Sequence, residues 1–307
     1  MPSLDPLVVI LGPTAVGKTE IAIQLAECLS GEIVSADSRL FYRGMDIGTA
    51  KPPLDERQRV PHHLIDITEP DDTITLALFQ RLARQAIAEI HSRRRLPFLV
   101  GGTGQYIRAV AQAWEVPPAR PNPMLRSALE SWAGQIGMQG LHNRLAVLDP
   151  QAAAGIDPRN LRRTVRALEV ILSTGRRFSE QRRSGSSPYK VLILGLARPR
   201  SELYARIDAR IQAMLAGGLI GEVQALLERG YSPELPTLSA IGYQEVIAYL
   251  QGNITLEEAQ IKMKRATRIF VRRQSNWFKP GDPAIRWFQV GSNTLEDLYD
   301  TIQGFFV

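Results

Sequence analysis

Short apolar runs alternate with longer segments of helical periodicity in the first hundred residues of this chain. Three runs predict strands, at Leu7 to Leu11, Glu32 to Ala36 and Pro97 to Val100. Between them, apolar residues recur at helical spacing from Lys18 to Ser30 and from Thr75 to Arg95. Strands that alternate with helices in this way predict an α/β fold, with a parallel sheet and helices on both of its faces.

A cluster of prolines interrupts this alternation, formed by Pro117, Pro118, Pro121 and Pro123. The segments after it show helical signals at 124–136, 139–148 and 158–174. Residues 191–197 then predict a strand that rejoins the sheet. Later helices are predicted at 201–217, 221–229, 242–250 and 255–278, followed by a strand at 285–290 and a terminal helix. We therefore predict a core domain formed by residues 1–118 and 188–307, with an all-helical insertion formed by residues 119–187.

The composition limits the class of protein. The chain has 307 residues, of which 44% are hydrophobic and 22% charged, as in ordinary globular proteins. No stretch approaches the roughly 20 apolar residues of a membrane span, and the first residues do not resemble a signal peptide. We therefore expect a cytoplasmic protein. Its single cysteine, Cys28, excludes an internal disulfide framework, and we expect this side chain, like those of Trp114 and Trp132, to be buried.

The net charge of +6 is concentrated in the predicted insertion. Residues 119–187 contain eleven arginines and five acidic residues, so this segment alone carries +6 and the remainder sums to zero. A small substrate does not require a separate cationic domain, whereas a polyanion does. The distribution of charge therefore points to a nucleic acid as a partner.

The most specific motif lies between the first predicted strand and the first predicted helix. It is the phosphate-binding pattern G-x-x-x-x-G-K-[ST], formed by Gly12, Pro13, Thr14, Ala15, Val16, Gly17, Lys18 and Thr19. The glycines allow backbone N–H groups to turn toward an anion at a helix N-terminus. Lys18 can neutralise phosphate oxygens, and the Thr19 hydroxyl is placed to ligate a Mg²⁺ ion on them. The motif predicts that a diphosphate or triphosphate binds, without indicating what it carries.

Asp37 follows the second predicted strand, at the sheet edge where α/β proteins bind ligands. Its carboxylate could hold Mg²⁺, take a proton from an attacking nucleophile or cap the following turn. In ATPases an acid usually ends a strand beside the phosphate loop, but the strand at 98–100 ends in Gly-Gly-Thr-Gly. Asp66 is a candidate for the acid that is missing there. The pair His62 and His63 lacks metal-ligand spacing, so we expect a structural role for it.

Two acid-poor basic stripes are predicted on helices. One lies on the helix at 261–278 and is formed by Lys264, Arg265, Arg268 and Arg272. The apolar residues of that helix fall on its other face, among them Met263, Ala266, Ile269, Phe270 and Trp277. The other stripe lies in the insertion and is formed by Arg159, Arg162, Arg163 and Arg166. A solvated helix face is the alternative, but acid-poor stripes on separate domains favour a groove that binds a nucleic-acid backbone.

Taken together, these segments resemble the tRNA dimethylallyltransferases, also called tRNA isopentenylpyrophosphate transferases. Besides the phosphate-binding loop, the matching segments are Ser35 to Arg39, Asp46 to Pro52, Pro61 to Asp66, Gly101 to Tyr106, Arg166 to Val170, Ile241 to Tyr243 and Arg272 to Phe278. The resemblance implies a P-loop NTPase-like sheet. It also implies transfer of a dimethylallyl group from dimethylallyl diphosphate to N6 of the adenosine 3′-adjacent to the tRNA anticodon, with release of diphosphate.

The resemblance also implies roles for individual residues. Lys18 and Thr19, with Mg²⁺, would neutralise the leaving group, Asp37 would be the base, and Thr103 would contact the extruded adenosine. The implied tRNA contacts are Asp37, Ser38, Arg39, Leu40, Thr103, Arg126, Arg162, Arg163, Arg166, Arg268 and Arg272. This chain has Leu40 where the family often has glutamine, and Arg162 where the family often has glutamine. The expected partners are the anticodon stem-loop of tRNA and dimethylallyl diphosphate, bound by a monomer without a membrane contact.

Three other functions are compatible with the phosphate-binding loop. A small-molecule kinase would use ATP, and an adenylate isopentenyltransferase would prenylate free AMP. Neither requires the arginine-rich insertion or the basic helix. A nucleic-acid-binding NTPase switch would require an acidic partner for the loop, for which Asp66 is the candidate.

Overall fold

A six-stranded sheet in the order β3-β2-β4-β1-β5-β6 positions most of the loops that follow. The computed structural model describes residues 4–116, 122–180 and 185–306. The strands are β1 Asp5–Leu11, β2 Gly31–Ser35, β3 His62–His63, β4 Leu96–Gly101, β5 Tyr189–Ala197 and β6 Ile285–Gln289. Every pair of neighbouring strands is parallel. The predicted parallel sheet flanked by helices is therefore confirmed.

Helices connect these strands. Those before residue 181 are α1 Lys18–Cys28, α2 Leu54–Arg59, α3 Leu76–Ser92, α4 Gly104–Ala111, α5 Pro123–Leu148, α6 Pro150–Ala154 and α7 Leu161–Thr174. Those after it are α8 Arg200–Ala216, α9 Leu219–Glu228, α10 Tyr243–Leu250, α11 Leu256–Ser275 and α12 Thr294–Phe306. None of the helices in the described part of the chain combines the length and apolar content needed to span a membrane.

The register of the sheet brings four strand ends to one edge. Residues 7–11 of β1 are completely buried, as expected for the central strand of a parallel sheet covered on both faces. The last residue of β1, Leu11, is in register with Gly101 of β4 and Gly195 of β5, and Ser35 of β2 is in register with Val100. The loops that follow β1, β2, β4 and β5 therefore meet at the carboxyl edge of the sheet.

The chain forms two compact units. One comprises Met1–Ala111 and Ser187–Val307, and the other comprises Gln112–Ser186. The first predicted domain boundary, at residues 118 and 119, lies outside the described residues. In the described part of the second unit all regular elements are helices. This unit has a core of its own, which includes Leu129, Leu141, Leu145, Val165 and Leu168.

Several local predictions differ from the structure. Helix α1 ends at Cys28, two residues before the predicted end at Ser30, and β2 begins at Gly31, where a Cβ atom would lie 2.4 Å from Phe98. By contrast, the break predicted between helices at 124–136 and 139–148 is confirmed, because Gly137 inside α5 has a non-helical φ of 78° and ψ of 158°. The short elements α2, β3 and α6 were not predicted, because they have too few residues to show a period, and the eight-residue helix α4 was also not predicted.

Two side chains predicted to be buried are exposed. Cys28 is the last residue of α1, and its side chain lies in solvent although Ile21 and Leu25 on the same stripe are buried. Trp132 on α5 is 38% exposed, with the guanidinium of Arg144 5.9 Å from the ring centroid. In both cases helical periodicity identified the helix, but the protein core does not extend to that position.

Candidate active site

The phosphate-binding loop connects β1 to α1 at the carboxyl edge of the sheet. Gly12 has φ of 154° and Gly17 has φ of 107°, values that residues with a Cβ atom rarely adopt. A Cβ atom on Gly12 would lie 2.6 Å from the carbonyl oxygen of Leu196. No side chain caps α1 at Gly17, so the first amides of the helix are left for an anion. The loop therefore leaves helix amides uncapped at the position where the sequence motif predicts an anion.

Lys18 lies folded over this loop. Its Nζ donates hydrogen bonds to the carbonyl oxygens of Gly12, at 3.1 Å, and Pro13, at 2.8 Å. Loss of solvent around the ammonium group lowers the pKa of Lys18 to about 8, with Asp37 acting in the opposite direction and Arg210 in the same direction. An anion bound here would favour the charged form of the lysine.

A cavity of about 440 Å³ opens beside the loop. Its polar lining includes Thr14, Lys18, Thr19, Ser35, Asp37, Arg206 and Arg210. Its apolar lining includes Ala22, Ile33, Leu40, Ala50, Pro52 and Ile65. Of the residues predicted to be catalytic, the structure brings Lys18, Thr19 and Asp37 together in one cavity. A ligand that joins an anionic group to a small apolar group matches this lining.

Three arginines that the sequence analysis missed surround the loop. Arg198 donates from Nε to the carbonyl oxygen of Val16 at 2.9 Å, and Arg206 donates from Nε to that of Ala15 at 2.8 Å. Arg210 donates from Nη2 to the Thr49 carbonyl oxygen at 3.3 Å, and burial lowers its pKa while Asp37 raises it.

These arginines come from one segment of the chain. Arg198 directly follows β5, while Arg206 and Arg210 are four residues apart on α8 and so share a helix face. The available signal was this spacing directly after a strand that pairs with β1. Arg206 and Arg210 add positive charge to the cavity lining, whereas Arg198 is also paired with Glu202.

Asp37 lines the cavity and also stabilises its own turn. Its Oδ1 accepts a hydrogen bond of 3.0 Å from the Arg39 backbone N–H, which fits the capping role. The next backbone N–H, of Ser38, donates to Thr103 Oγ1 at 3.4 Å. Thr103 and Asp37 therefore belong to adjoining turns after β4 and β2. One carboxylate oxygen of Asp37 is engaged by the turn, so its other oxygen is the stronger candidate for a proton or a metal.

The glycines on both sides of Thr103 are required by close contacts. A Cβ atom on Gly101 would lie 2.4 Å from the Ala36 carbonyl oxygen, and one on Gly104 would lie 2.3 Å from Trp277. The Gly-Gly-Thr-Gly segment therefore allows β4, the turn after β2 and the end of α11 to pack against each other.

The other acid considered for the loop is occupied elsewhere. Asp66 forms ion pairs with Lys51 and with Arg57, the latter at 2.8 Å from Arg57 Nη1 to Asp66 Oδ2. These bonds also outweigh burial and lower the pKa of Asp66. A carboxylate held in this way is a structural partner of two cations. The arrangement gives no support to the NTPase switch.

The two histidines have different environments. His63 Nε2 lies 2.8 Å from Glu32 Oε2, and Glu32 also pairs with Arg93, an arrangement that supports the predicted structural role of His63. His62 lines the cavity, with Nδ1 2.7 Å from the Val60 carbonyl oxygen, and burial lowers its pKa. His62 is therefore a lining residue of the cavity whose surroundings favour the neutral imidazole.

The donor set at the loop fits Mg²⁺ bound together with a diphosphate. Thr19, Ser35 and Asp37 supply oxygen atoms to the cavity lining. The described residues contain no group of three or more His, Cys, Asp and Glu that could hold a metal by themselves. Mg²⁺ is commonly held by one or two protein oxygens and by substrate phosphates, so this incomplete donor set is the expected one.

The basic stripe on α11 is partly neutralised by another helix. Arg268 Nη2 lies 2.9 and 2.8 Å from the two carboxylate oxygens of Asp208 on α8, and its guanidinium lies 4.9 Å from the Tyr204 ring centroid. Arg272 is exposed, as expected for a contact to a polyanion. Phe270, predicted on the buried face, is 41% exposed. Within the stripe, Arg272 is therefore the better candidate for a phosphate contact.

In the insertion, two predicted tRNA contacts hold a buried acid. Glu169 is completely buried, and its carboxylate lies 2.9 Å from Arg126 Nε and 2.6 Å from Arg166 Nη1. It also accepts the Asn122 backbone N–H at 2.7 Å. Because these bonds outweigh burial, the pKa of Glu169 is lowered. Arg126 and Arg166 thus stabilise the insertion, while Arg162 and Arg163 are exposed.

Comparison with known proteins gives consistent matches over most of the chain. The model of the IPP transferase family matches residues 40–281. A tRNA dimethylallyltransferase of Roseiflexus sp. (strain RS-1) is 55% identical over 274 residues, which cover 89% of this chain and 90% of that protein. One of Thermomicrobium roseum is 51% identical over 285 residues, covering 93% of this chain and 86% of that protein.

Solved structures give the same result. The full-length tRNA isopentenylpyrophosphate transferase of Bacillus halodurans has a TM-score of 0.73 and 44% identity, covering 98% of this chain and 96% of that one. A eukaryotic dimethylallyltransferase, described as acting on tRNA, has a TM-score of 0.81 and 28% identity, covering 98% of this chain and 77% of that one. The chain therefore belongs to the IPP transferase family, which includes these tRNA dimethylallyltransferases.

Proposed function

We propose that this protein transfers the dimethylallyl group of dimethylallyl diphosphate to N6 of the adenosine 3′-adjacent to the tRNA anticodon, releasing diphosphate. The observation that carries the proposal is the cavity in which Lys18 and Thr19 of the phosphate-binding loop, the carboxylate of Asp37 and a set of apolar side chains meet. An allylic diphosphate has an anionic end and a short apolar end, and this lining can accommodate both.

The leaving group is the diphosphate. As the C–O bond breaks, its electron pair moves to the diphosphate oxygen, and the added charge must be neutralised for the allylic group to depart. The amides at the start of α1, the ammonium of Lys18 and the guanidinium groups of Arg206 and Arg210 are positioned for this. Bound Mg²⁺, held by the Thr19 hydroxyl and diphosphate oxygens, would add charge neutralisation.

The acceptor is a weak nucleophile. The N6 lone pair of adenosine is delocalised into the ring, so a base must remove an N6 proton as the new C–N bond forms. Glu20, Asp37 and Glu56 all line the cavity, and Asp37 is the one whose turn is hydrogen-bonded to Thr103, so we assign it as the acceptor of that proton. Ser38, Arg39 and Thr103 lie in the adjoining turns and would contact the extruded base. Leu40 lines the cavity and would add an apolar contact.

Transfer to tRNA is tested by a direct assay. The protein is incubated with Mg²⁺, labelled dimethylallyl diphosphate and either unmodified tRNA, the same tRNA with the target adenosine replaced by guanosine, or AMP. We expect N6-dimethylallyladenosine only from the unmodified tRNA, because AMP does not use the basic surfaces. Product from AMP at a comparable rate, or no product from tRNA, would contradict the proposed function.

Arg272 provides the test of the tRNA surface on α11. Replacing Arg272 by alanine removes an exposed cation, so we expect a higher KM for tRNA and a log–log salt dependence shallower by about one unit. Affinity for dimethylallyl diphosphate should stay unchanged. Arg95→Ala is the matched control, because Arg95 is exposed just before β4, at the opposite edge of the sheet. Equal salt slopes for both variants would show that Arg272 lies on a solvated face only.

A further inference from the structure

Gln274 is a buried amide between two functional loops. It is the penultimate residue of α11 and is 7% exposed. Its Oε1 accepts the Thr14 backbone N–H at 2.9 Å, and its Nε2 donates to the Gly102 carbonyl oxygen at 3.2 Å. One side chain therefore joins the phosphate-binding loop after β1 to the turn after β4, although neither loop is near it in sequence.

The bond to Thr14 fixes the peptide on which Lys18 rests. The described residues contain no cis peptide, and in a trans peptide the C=O and N–H groups point in opposite directions. Lys18 Nζ donates to the Pro13 carbonyl oxygen at 2.8 Å, while Gln274 accepts from the N–H of the same peptide unit. Rotation of this peptide would break both bonds. The resting position of the Lys18 ammonium group therefore depends on Gln274.

The bond to Gly102 fixes the turn that carries Thr103, the residue proposed to contact the adenosine. A Cβ atom on Gly102 would lie 2.3 Å from Gln274 Nε2, so the turn and the amide are in direct contact. The next residue, Thr103, accepts the backbone N–H of Ser38, the neighbour of Asp37. The segment directly after α11 is itself held, since the Trp277 carbonyl oxygen accepts a hydrogen bond from Arg108 Nη2 at 2.6 Å.

From these contacts we infer that Gln274 is a positioning residue for prenyl transfer. It fixes the Pro13–Thr14 peptide beside Lys18 and the Gly102 turn beside Thr103. In this way it sets the position of the leaving-group site relative to the acceptor site. The role rests on the proposed function, because it assigns those two sites to diphosphate and adenosine. It also places this link on α11, the helix whose exposed Arg272 is proposed to contact tRNA.

Gln274→Met is the informative variant. Methionine has a similar length and no strong hydrogen-bonding group, so Thr14 N–H and the Gly102 carbonyl would both lose a partner. A buried polar group without a partner carries a free-energy cost. If that cost is added to the barrier for transfer, the rate falls by about 10- to 100-fold. We expect kcat to fall by about that factor and pyrophosphate affinity of the free enzyme to fall about 10-fold, while the KM for tRNA stays within about twofold.

Two further variants separate positioning from a general loss of structure. Ser275→Ala changes the exposed neighbouring residue and should leave kcat, pyrophosphate affinity and melting temperature unchanged. Gln274→Asn keeps the amide on a side chain one methylene shorter, which cannot make both bonds, and should show the same pattern with a smaller loss. If Gln274→Met does not fold, Gln274→Asn carries the test.

The measurements are kcat and KM in the transfer assay and pyrophosphate titration of the enzyme without tRNA. Wild-type kcat and pyrophosphate affinity in the Gln274 variants would overturn the inference. So would a loss confined to tRNA affinity, or a lower melting temperature with unchanged kcat per folded site. If wild-type protein does not prenylate tRNA, the proposed function fails, whereas the pyrophosphate titration still tests the hold of Gln274 on the loop.

Discussion

Replacing Lys18 by alanine should slow prenyl transfer by about 10² or more with the fold intact, a loss of about 2.7 kcal/mol of transition-state stabilisation. The ammonium group lies on the loop carbonyls of Gly12 and Pro13, where the diphosphate charge would increase during ionisation. The loss should therefore fall mainly on kcat. Single-turnover rates of the variant test the expected loss of rate, and its melting temperature tests whether the fold is intact.

The pH dependence of pyrophosphate binding gives a second measurement. Because the pKa of Lys18 is about 8 in the free protein, Lys18 is charged below pH 8 and progressively neutral above it. The advantage of wild type over Lys18→Ala in binding should thus be complete below pH 8 and decrease as the pH rises through that value. Titration of pyrophosphate itself affects both proteins equally, so the ratio of their affinities isolates Lys18.

The matched control is Lys279→Ala, which removes an exposed lysine outside the cavity. It should keep the wild-type rate and the wild-type pH dependence of pyrophosphate binding. Near-normal turnover in Lys18→Ala, or the same affinity ratio at pH 7 and pH 10, would show that the loop is not the site of the leaving group.

The phosphate-binding loop could be predicted because its residue types determine its backbone. Gly12 and Gly17 occupy positions with positive φ, and Lys18 and Thr19 begin the helix that follows a buried strand. All the information lies within eight consecutive residues. The alternation of apolar runs and helical segments likewise predicts the parallel sheet, because each run is long enough to show its character locally.

The arginines around the loop could not be predicted in the same way. Arg206 and Arg210 lie on α8, where charged residues usually form a solvated face. They reach the cavity only because β5 pairs with β1 and directs the following helix toward the loop. The same holds for Gln274, which is 260 residues from Thr14 in the chain. Contacts of this kind depend on strand order, which periodicity does not specify.

Long-range ion pairs also changed the interpretation of the basic stripes. On α11 alone, Arg268 is free of acidic neighbours, but α8 supplies Asp208 as a bidentate partner. In the insertion, Arg126 and Arg166 are both held by Glu169. Replacing such an arginine would leave a carboxylate without its partner and would mix stability with binding. Exposed Arg272 is therefore the cleaner position for testing tRNA affinity.

Asp37→Asn should lower kcat by about 10² to 10⁴-fold, the usual contribution of a general base, while both substrates still bind. The amide keeps an oxygen for the Arg39 backbone N–H, so the turn after β2 should persist. It cannot take the N6 proton, so the loss should appear in the chemical step. Single-turnover rates, tRNA and diphosphate affinities and melting temperature are compared with those of wild type.

Two other roles of Asp37 predict different results for the same variant. A Mg²⁺ ligand would give weaker Mg²⁺-dependent diphosphate binding and partial recovery of activity at high Mg²⁺. If Asp37 is a capping residue, the variant should lose about 1 kcal/mol of stability, seen as a lower melting temperature, with only a modest change in rate. Asp37→Ala is the companion variant, because it removes the acceptor for Arg39 N–H as well as the base. If Asp37 is the base, Asp37→Ala should lose stability relative to Asp37→Asn but little further activity per folded molecule. If added Mg²⁺ restored the activity of Asp37→Asn, the role of Asp37 would be metal binding and not proton removal.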